Sequence, residues 1–201
     1  WGDSALLRIE YNTRWDDPNN LRNILAEEEW DSAKGSTLNA HYTALPVVRA
    51  MWNSLLKLGF GNLPKVRVLD PSAGVGHFKS AIPVELRDQT DGMNAMNGIY
   101  ATSWVEIELD SITARILKLL HPDSKVHALG FEEVNLPGGW FDLAISNVPF
   151  GDYAIVDRNI KDARLRACIH DYFFVRTVSL LRPGGILAYI TSRYTLDKKD
   201  S

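Results

Sequence analysis

The chain has 201 residues, of which 45% are hydrophobic and 23% charged, and its formal net charge is −3 at pH 7. These values predict one soluble globular domain of the cytosol, because the apolar runs are too short to cross a membrane and no signal peptide is recognisable. The negative charge argues against an autonomous DNA-binding protein, and the single cysteine, Cys168, expected in the core, excludes an internal disulfide and a cysteine-based zinc site.

The N-terminal part predicts a helical lead-in, residues 1–38, ahead of a second unit that spans residues 39–201. Within the lead-in, a helix is expected from Leu21 to Lys34. The second unit opens with a helix whose apolar residues recur at helical spacing until Gly59, where the glycine ends it. Thr43 is the predicted N-cap of this helix.

The segment Val66–Phe78, with the sequence VRVLDPSAGVGHF, is the centre of the predicted fold. Its apolar residues suit a buried strand, Asp70-Pro71-Ser72 ends that strand, and Gly74 and Gly76 let the backbone approach a ligand at a helix N-terminus. This arrangement predicts a nucleotide site. The dinucleotide fingerprint needs a third glycine where this chain has Lys79, so a nicotinamide or flavin cofactor is disfavoured.

A strand–helix–strand unit follows the glycine-rich turn. The helix after the turn is expected to reach Arg87, and the next strand, Ser103–Asp110, ends in acidic residues. The helix Ser111–Leu120 then connects this strand to a third strand, Lys125–Leu129. Because units of this kind are parallel, we expect the acids at the carboxyl edge of the sheet, beside the glycine-rich turn.

A fourth buried strand, Trp140–Ser146, leads into a turn with the sequence Asn147-Val148-Pro149-Phe150. A helix is then predicted for Ile169–Leu181, after which Arg182-Pro183-Gly184-Gly185 turns the chain into a fifth strand, Ile186–Thr191. The alternation of strands and helices predicts the α/β class, with a doubly wound, mostly parallel sheet.

Two of these turns together resemble the cofactor and catalytic motifs of the adenine-specific (N6) DNA methyltransferases, which depend on S-adenosylmethionine. In that family DPxxGxGxF lies under the methionine part of the cofactor and (D/N/S)PP(Y/F) holds the target base. This chain has DPSAGVGHF and NVPF, with Val148 where proline is usual. In NAHYT, NVPFGDY, IHDYF and ITSRYTLDK it further resembles the methylase portion of phage- or plasmid-borne helicase–methyltransferase fusion proteins.

The resemblance implies a Rossmann-like methyltransferase fold that binds S-adenosylmethionine, incomplete at the C-terminus, in a chain that is a piece of a longer protein. Glu108 is implied as the acceptor for the ribose hydroxyls of the cofactor, whereas Glu106 lies deeper and Asp110 caps the next helix. No metal is implied. The implied cofactor-binding residues are Tyr42, Thr43, Asp70, Pro71, Ser72, Ala73, Gly74, Gly76, Phe78, Glu108, Phe131 and Glu132.

The implied reaction is transfer of a methyl group to the exocyclic amino nitrogen of a flipped adenine in double-stranded DNA, in a restriction-modification or anti-restriction context. The side-chain oxygen of Asn147 and the carbonyl of Val148 would accept the two amino N–H groups, while Phe150 stacks on the base. The implied catalytic residues are Asn147, Val148, Pro149 and Phe150. Target-recognition and helicase domains of the parent chain are the implied protein partners, and no membrane is implied.

Three alternatives stay open at this point. Methyltransferases that act on a protein glutamine or on a guanine of ribosomal RNA use similar turns, although Tyr42-Thr43 ahead of the glycine-rich turn favours the DNA enzymes. A degenerate module that binds cofactor or DNA without turnover would also fit Val148. The third alternative is a purely structural module of a larger protein, which would bind no cofactor.

Overall fold

The structure, a computed structural model, describes residues 21–31, 42–63, 65–87, 101–151, 153–158 and 160–192. Most of the predicted lead-in 1–38, including the expected helix end at Lys34, lies outside these ranges. No helix within them is long and apolar enough to span a membrane.

The described elements are five strands and seven α-helices, with three short 3-10 turns between them. The strands are β1 (Lys65–Asp70), β2 (Ala101–Ile107), β3 (Lys125–His127), β4 (Phe141–Asn147) and β5 (Leu181–Ile190). The helices are α1 (Leu21–Ile24), α2 (27–31), α3 (Leu45–Lys57), α4 (His77–Ser80), α5 (Val84–Arg87), α6 (Ser111–Leu120) and α7 (Ile169–Leu180). The 3-10 turns are Phe60–Asn62, Phe131–Glu133 and Ala163–Arg166.

The five strands form one sheet in the order β3-β2-β1-β4-β5, and every described strand pair is parallel. This order confirms the predicted doubly wound α/β fold. The chain moves outward from β1 through β2 to β3 and then returns to the other side of β1 with β4. Ligands of such sheets bind where the strand order reverses, outside the carboxyl ends of the strands, which here means the ends of β1 and β4.

Both faces of the sheet are covered by helices because successive strand residues point to opposite sides. On one face, Val66 and Val68 of β1 belong to the same buried cluster as Trp52 of α3. On the other face, Leu69 belongs to a cluster with Tyr172 of α7. The indole N–H of Trp52 donates to the carbonyl of Phe78 at 2.9 Å, which ties α3 to the glycine-rich turn.

Two predicted helices are interrupted. The helix expected from Leu21 to Lys34 breaks between α1 and α2, because the Glu29 carboxylate accepts the N–H of Ala26 at 3.1 Å and so caps a new helix. The helix expected to continue to Arg87 ends at Ser80 and resumes at Val84. Pro83 precedes α5, has no N–H to donate and pushes the residue before it out of helical geometry.

The start of α3 lies one residue later than predicted. Its N-cap is Ala44, not Thr43, since Ala44 is extended and its carbonyl accepts the N–H groups of Val47 and Val48. Pro46 lies in the first turn, where a missing N–H costs nothing. The predicted stop is confirmed, because Gly59 follows the last turn with a left-handed φ of 92°.

The fifth strand begins at Leu181 rather than at Ile186, so the predicted turn 182–185 lies within β5. The pairing slips there, from Phe141 opposite Leu181 to Leu143 opposite Ile186, which accommodates the extra residues as an irregular bulge. Gly185 fits because its backbone lies close to β4, and a Cβ on it would be 3.0–3.3 Å from three carbonyl oxygens. β5 is an edge strand of the described sheet.

Candidate functional site

A cavity of about 520 Å³ opens at the carboxyl edge of the sheet, a size typical of small-molecule sites. Its wall combines the glycine-rich turn, the end of β2, the turn after β3 and the turn after β4. The predicted residues that line it are Tyr42, Thr43, Pro71, Ser72, Ala73, Gly74, Phe78, Glu108, Phe131, Glu132, Asn147, Val148, Pro149 and Phe150. The structure therefore brings all the predicted site residues to one cavity except Asp70 and Gly76.

Two backbone N–H groups of the glycine-rich turn donate hydrogen bonds to the residues at the end of β2. The N–H of Ala73 donates to the carbonyl of Ile107 at 2.9 Å, and the N–H of Gly74 donates to the Glu108 carboxylate at 2.8 Å. Gly74 has a φ of 56°, a conformation that glycine adopts without strain. The turn thus has its shape fixed by the residues around it.

Glu108 lies directly after β2, and both of its carboxylate oxygens accept hydrogen bonds from the backbone. One carboxylate oxygen accepts the Gly74 N–H, and the other accepts the N–H of Asp110 at 2.9 Å. An ionised carboxylate offers about four acceptor sites, so each oxygen retains capacity for a ligand hydroxyl. Burial raises the pKa of Glu108, although the two backbone donors oppose that shift.

The neighbouring acids have other tasks. Asp110 caps α6, as predicted, by accepting the N–H groups of Ile112 and Thr113 at 3.3 and 3.2 Å. Glu106 is fully buried, pairs in register with Asp70, and is not part of the cavity wall. Of the three acids at the end of β2, Glu108 is therefore the one whose carboxylate lines the cavity without capping a helix.

Asp70 and Gly76 shape the turn from behind. Asp70 is fully buried and accepts the Ser146 hydroxyl at 2.7 Å and the Ser72 N–H at 3.3 Å. Burial raises the pKa of Asp70 well above its usual value. A Cβ on Gly76 would lie 2.5 Å from the His121 ring, so this glycine allows close packing on α6 and does not face the cavity.

The turn after β4 places four predicted residues on the wall. Asn147 is the last residue of β4 and is half-buried, as are Pro149 and Phe150. Val148 is only 1% exposed, and its N–H donates to the carbonyl of Ile190 at 3.2 Å. Proline has no N–H, so valine at this position extends the β4–β5 ladder by one hydrogen bond.

Tyr42 and Thr43 reach the cavity from the segment before α3. The carbonyl of Thr43 lies 3.3 Å from Nδ1 of His77, and the ring centroids of Tyr42 and His77 are 5.5 Å apart. Burial, followed by the negative charges of Glu108 and Asp110, raises the pKa of Tyr42. His77 thus links this segment to the glycine-rich turn.

The turn after β3 brings Phe131 and Glu132 to the wall. Glu132 is half-buried, whereas Phe131 is only 3% exposed. The Phe131 ring packs against Phe173, with centroids 5.1 Å apart, and the Arg176 guanidinium lies 4.8 Å from its centroid. Most of this ring is therefore enclosed by α7.

The wall also contains residues that the sequence did not single out. His77 lies inside the quoted motif, and Tyr153, 43% exposed, follows the NVPF turn, so both carried a local signal. Asp31 had no local sequence signal, because it lies at the end of α2. An ion pair between Glu29 and Arg115 connects that helix to α6. The other unpredicted wall residues are Leu109, Asp110, Thr113, Leu129, Gly130, Ile155, Ile169 and Phe173.

Cys168 is not the core residue that was predicted. It is half-exposed at the N-cap of α7, and its thiol donates to the carbonyl of Gly151 at 3.2 Å. Possible metal-ligand atoms of Cys168, His170 and Asp171 lie within 4.8 Å of one another, a grouping that the sequence did not predict. The thiol proton is engaged with a carbonyl, and the positive end of a helix disfavours a cation, so the group serves as a helix start that fixes the loop at Gly151.

Comparisons with known proteins agree with this geometry. Defense against restriction protein B of Escherichia phage P1 is 29% identical over 173 residues, covering 84% of this chain and 7% of the phage protein. The type II methyltransferase M.BanIII of Aneurinibacillus aneurinilyticus is 26% identical over 193 residues, covering 79% of this chain and 31% of that enzyme. No model of a known protein family matches the chain.

Among solved structures, a Listeria monocytogenes protein assigned to the class I S-adenosylmethionine-dependent methyltransferases superposes with a TM-score of 0.57. The match has 14% sequence identity and covers 97% of this chain and 65% of that protein. It confirms the predicted Rossmann-like methyltransferase fold. The two sequence relatives, one of them a phage protein, confirm the methyltransferase resemblance, and the chain spans less than a third of the length of either one.

Proposed function

We propose that the cavity binds S-adenosylmethionine and that the chain is the methyl-transferring part of a DNA adenine methyltransferase. The cofactor, when bound, supplies an electrophilic methyl group. The fit of the cofactor is supported by the fold, the cavity volume of about 520 Å³ and the paired acceptor sites of Glu108. The two ribose hydroxyls of the cofactor would donate to the two Glu108 oxygens and replace the water molecules that hydrate this carboxylate. A hydrogen bond to a charged group contributes about 1.5–3 kcal/mol to binding.

Other wall residues lie beside different parts of the cofactor in this proposal. The backbone of the glycine-rich turn, with Tyr42 and Thr43, lies beside the methionine end in this proposal. Glu132 and the small exposed edge of Phe131 lie at the adenine end. The fully buried Asp70 supports the turn through Ser72 and makes no ligand contact.

One observation carries the choice of adenine as the acceptor: Asn147, Val148, Pro149 and Phe150 line the same cavity as Glu108. An adenine amino nitrogen is a weak nucleophile because its lone pair is conjugated with the ring. Acceptors for both of its N–H bonds favour a pyramidal nitrogen whose lone pair points at the methyl group. The side-chain oxygen of Asn147 and the carbonyl of Val148 are the two acceptors in this proposal.

Val148 is compatible with that role although proline is usual in the resembled family. Residue 148 precedes Pro149, which biases it to extended geometry, and its N–H is fixed to Ile190. Both constraints limit rotation of the 148 carbonyl. Phe150, half-buried beside them, supplies the aromatic face on which a base taken out of the duplex stacks.

The test is a methyl-transfer assay with labelled S-adenosylmethionine, in which DNA, RNA and protein are offered separately. Label on the N6 atom of adenine in DNA supports the proposal, and label only on protein or RNA overturns the DNA assignment. Cofactor binding without transfer to any acceptor would instead indicate a non-catalytic binding module. An Asn147→Ala variant serves as the background control in each reaction.

A further inference from the structure

A buried ion pair lies behind the cavity and has no role in the chemistry described above. Asp157 and Arg176 are 3% and 5% exposed, and their side chains are in direct contact. The Tyr172 hydroxyl also donates to Asp157 at 2.8 Å, and burial, followed by this hydrogen bond, raises the pKa of Tyr172. Removing two charges from water is costly. The segments that such a buried pair connects are therefore of interest.

Arg176 reaches two segments that are distant in sequence. One guanidinium nitrogen contacts Asp157, and the other donates to the carbonyl of Val134 at 2.6 Å. Val134 is the C-cap of the 3-10 turn Phe131–Glu133, and the guanidinium also lies 4.8 Å from the centroid of the Phe131 ring. A single planar side chain on α7 therefore holds the loop around Asp157 and the turn after β3 together.

Both of these segments belong to the cavity wall. The loop 153–158 contributes Tyr153 and Ile155, which follow the NVPF turn. The turn Phe131–Glu133 contributes Phe131 and Glu132. In the proposed function, the loop lies on the side of the target base and the turn lies on the side of the cofactor adenine.

We infer that Asp157 and Arg176 are positioning residues that clamp the loop 153–158 to the turn Phe131–Glu133, so that cofactor binding at the turn fixes the base side of the cavity. The assignment of the two sides rests on the proposed function, whereas the clamp itself rests on the contacts. Two ligands that each stabilise the clamped arrangement favour each other, and this coupling is reciprocal.

The test compares two double variants by amide hydrogen exchange. Asp157→Asn with Arg176→Gln removes both buried charges together, so that neither partner is left as an unpaired charge in the interior. The matched control is Asp162→Asn with Arg164→Gln, an exposed pair with a 2.8 Å contact in the next segment of the chain. Exchange is followed in peptides that cover 131–134 and 153–158, with peptides from β1 and α6 as internal references.

We expect the buried double variant to exchange about tenfold faster in both segments, with the reference peptides and the thermal midpoint close to wild type. In the wild type, S-adenosylmethionine should slow exchange in 153–158 as well as in 131–134, and in the buried variant it should slow only 131–134. The control pair should behave as wild type in every peptide.

Unchanged exchange, faster exchange in only one of the two segments, or acceleration throughout the chain would each overturn the clamp. If S-adenosylmethionine still slowed exchange in 153–158 of the buried double variant, the proposed coupling would be refuted. A wild type that does not bind S-adenosylmethionine would refute the proposed function instead, and the exchange rates without ligand would still decide the clamp.

Discussion

Replacing Glu108 by glutamine tests the cofactor site with the smallest change of shape. The carboxylate accepts the N–H of Gly74 at 2.8 Å and that of Asp110 at 2.9 Å, and it retains acceptor capacity on both oxygens. Glutamine has a single acceptor oxygen and turns an NH₂ group toward the other backbone donor. The ribose hydroxyl that donates to this second oxygen in the wild type would face the NH₂ group of the glutamine, which cannot accept a hydrogen bond.

The expected loss of affinity is that of a hydrogen bond to a charged group, about 1.5–3 kcal/mol. This loss corresponds to a rise in the dissociation constant of about 10-fold to 150-fold. The free energy of unfolding should also fall by about 1–3 kcal/mol, because one backbone N–H in a half-buried site loses its acceptor.

Isothermal titration with S-adenosylmethionine and urea unfolding measure the two quantities separately. Asp110→Asn is the matched control, since it removes a charge from the same wall while asparagine still caps α6. Its dissociation constant should rise by less than about threefold, because Asp110 makes no hydrogen bond to the cofactor in the proposal and only its share of the field of the wall is lost. An unchanged constant for Glu108→Gln, or an equal loss in the control, would refute the reasoning and reassign the ribose contact.

Three further predictions concern the acceptor site, the bulge and the pH dependence of stability. Asn147→Ala should leave cofactor affinity nearly intact but lower single-turnover transfer at least about a hundredfold, the effect of losing one preorganised group at about 2.7–4 kcal/mol. Gly185→Ala should destabilise the fold by about 1–3 kcal/mol in urea unfolding, because its Cβ would press on backbone oxygens, whereas Gly138→Ala, with a nearest atom at 3.4 Å, should cost less. Burial alone would raise the pKa of Asp142, but hydrogen bonds from two arginines outweigh it and lower the pKa from 3.8 to about 2. Its contribution of about 2 kcal/mol is therefore present above pH 4 and lost as the pH falls through 2, and Asp142→Asn should flatten that part of the stability profile.

The sheet was predictable because each strand combined a buried apolar run with a polar or glycine-containing end. β1 and β4 are within one residue of the predicted bounds, and α6 has the predicted bounds. The start of β5 at Leu181 was not predictable from the sequence. Pro183, Gly184 and Gly185 indicate a turn when they are considered without their tertiary contacts. Only the pairing with β4 shows that the same residues continue the strand as a bulge.

The cavity wall was predictable where residues follow strand ends and not where they arrive by tertiary packing. Glu108 follows β2 and Asn147 ends β4, so the parallel topology alone brings them to one edge. Asp31 reaches the wall on α2, which the ion pair between Glu29 and Arg115 connects to α6, a segment far along the chain. The enclosure of the Phe131 ring likewise depends on α7, more than thirty residues away in the chain, and no local pattern reports it.

If the chain transfers a methyl group as proposed, the charge of the cavity wall has a consequence for the release of product. Among the described residues that line it, Asp31, Glu108, Asp110 and Glu132 are acidic and none is lysine or arginine. A sulfonium carries a positive charge, and the thioether that remains after methyl transfer is neutral, so the field of these carboxylates holds the reactant more strongly than the product. In the proposed function, the same field repels phosphate and so favours entry of a base while the sugar–phosphate backbone remains at the mouth. Added salt should therefore weaken the discrimination between the two forms of the cofactor.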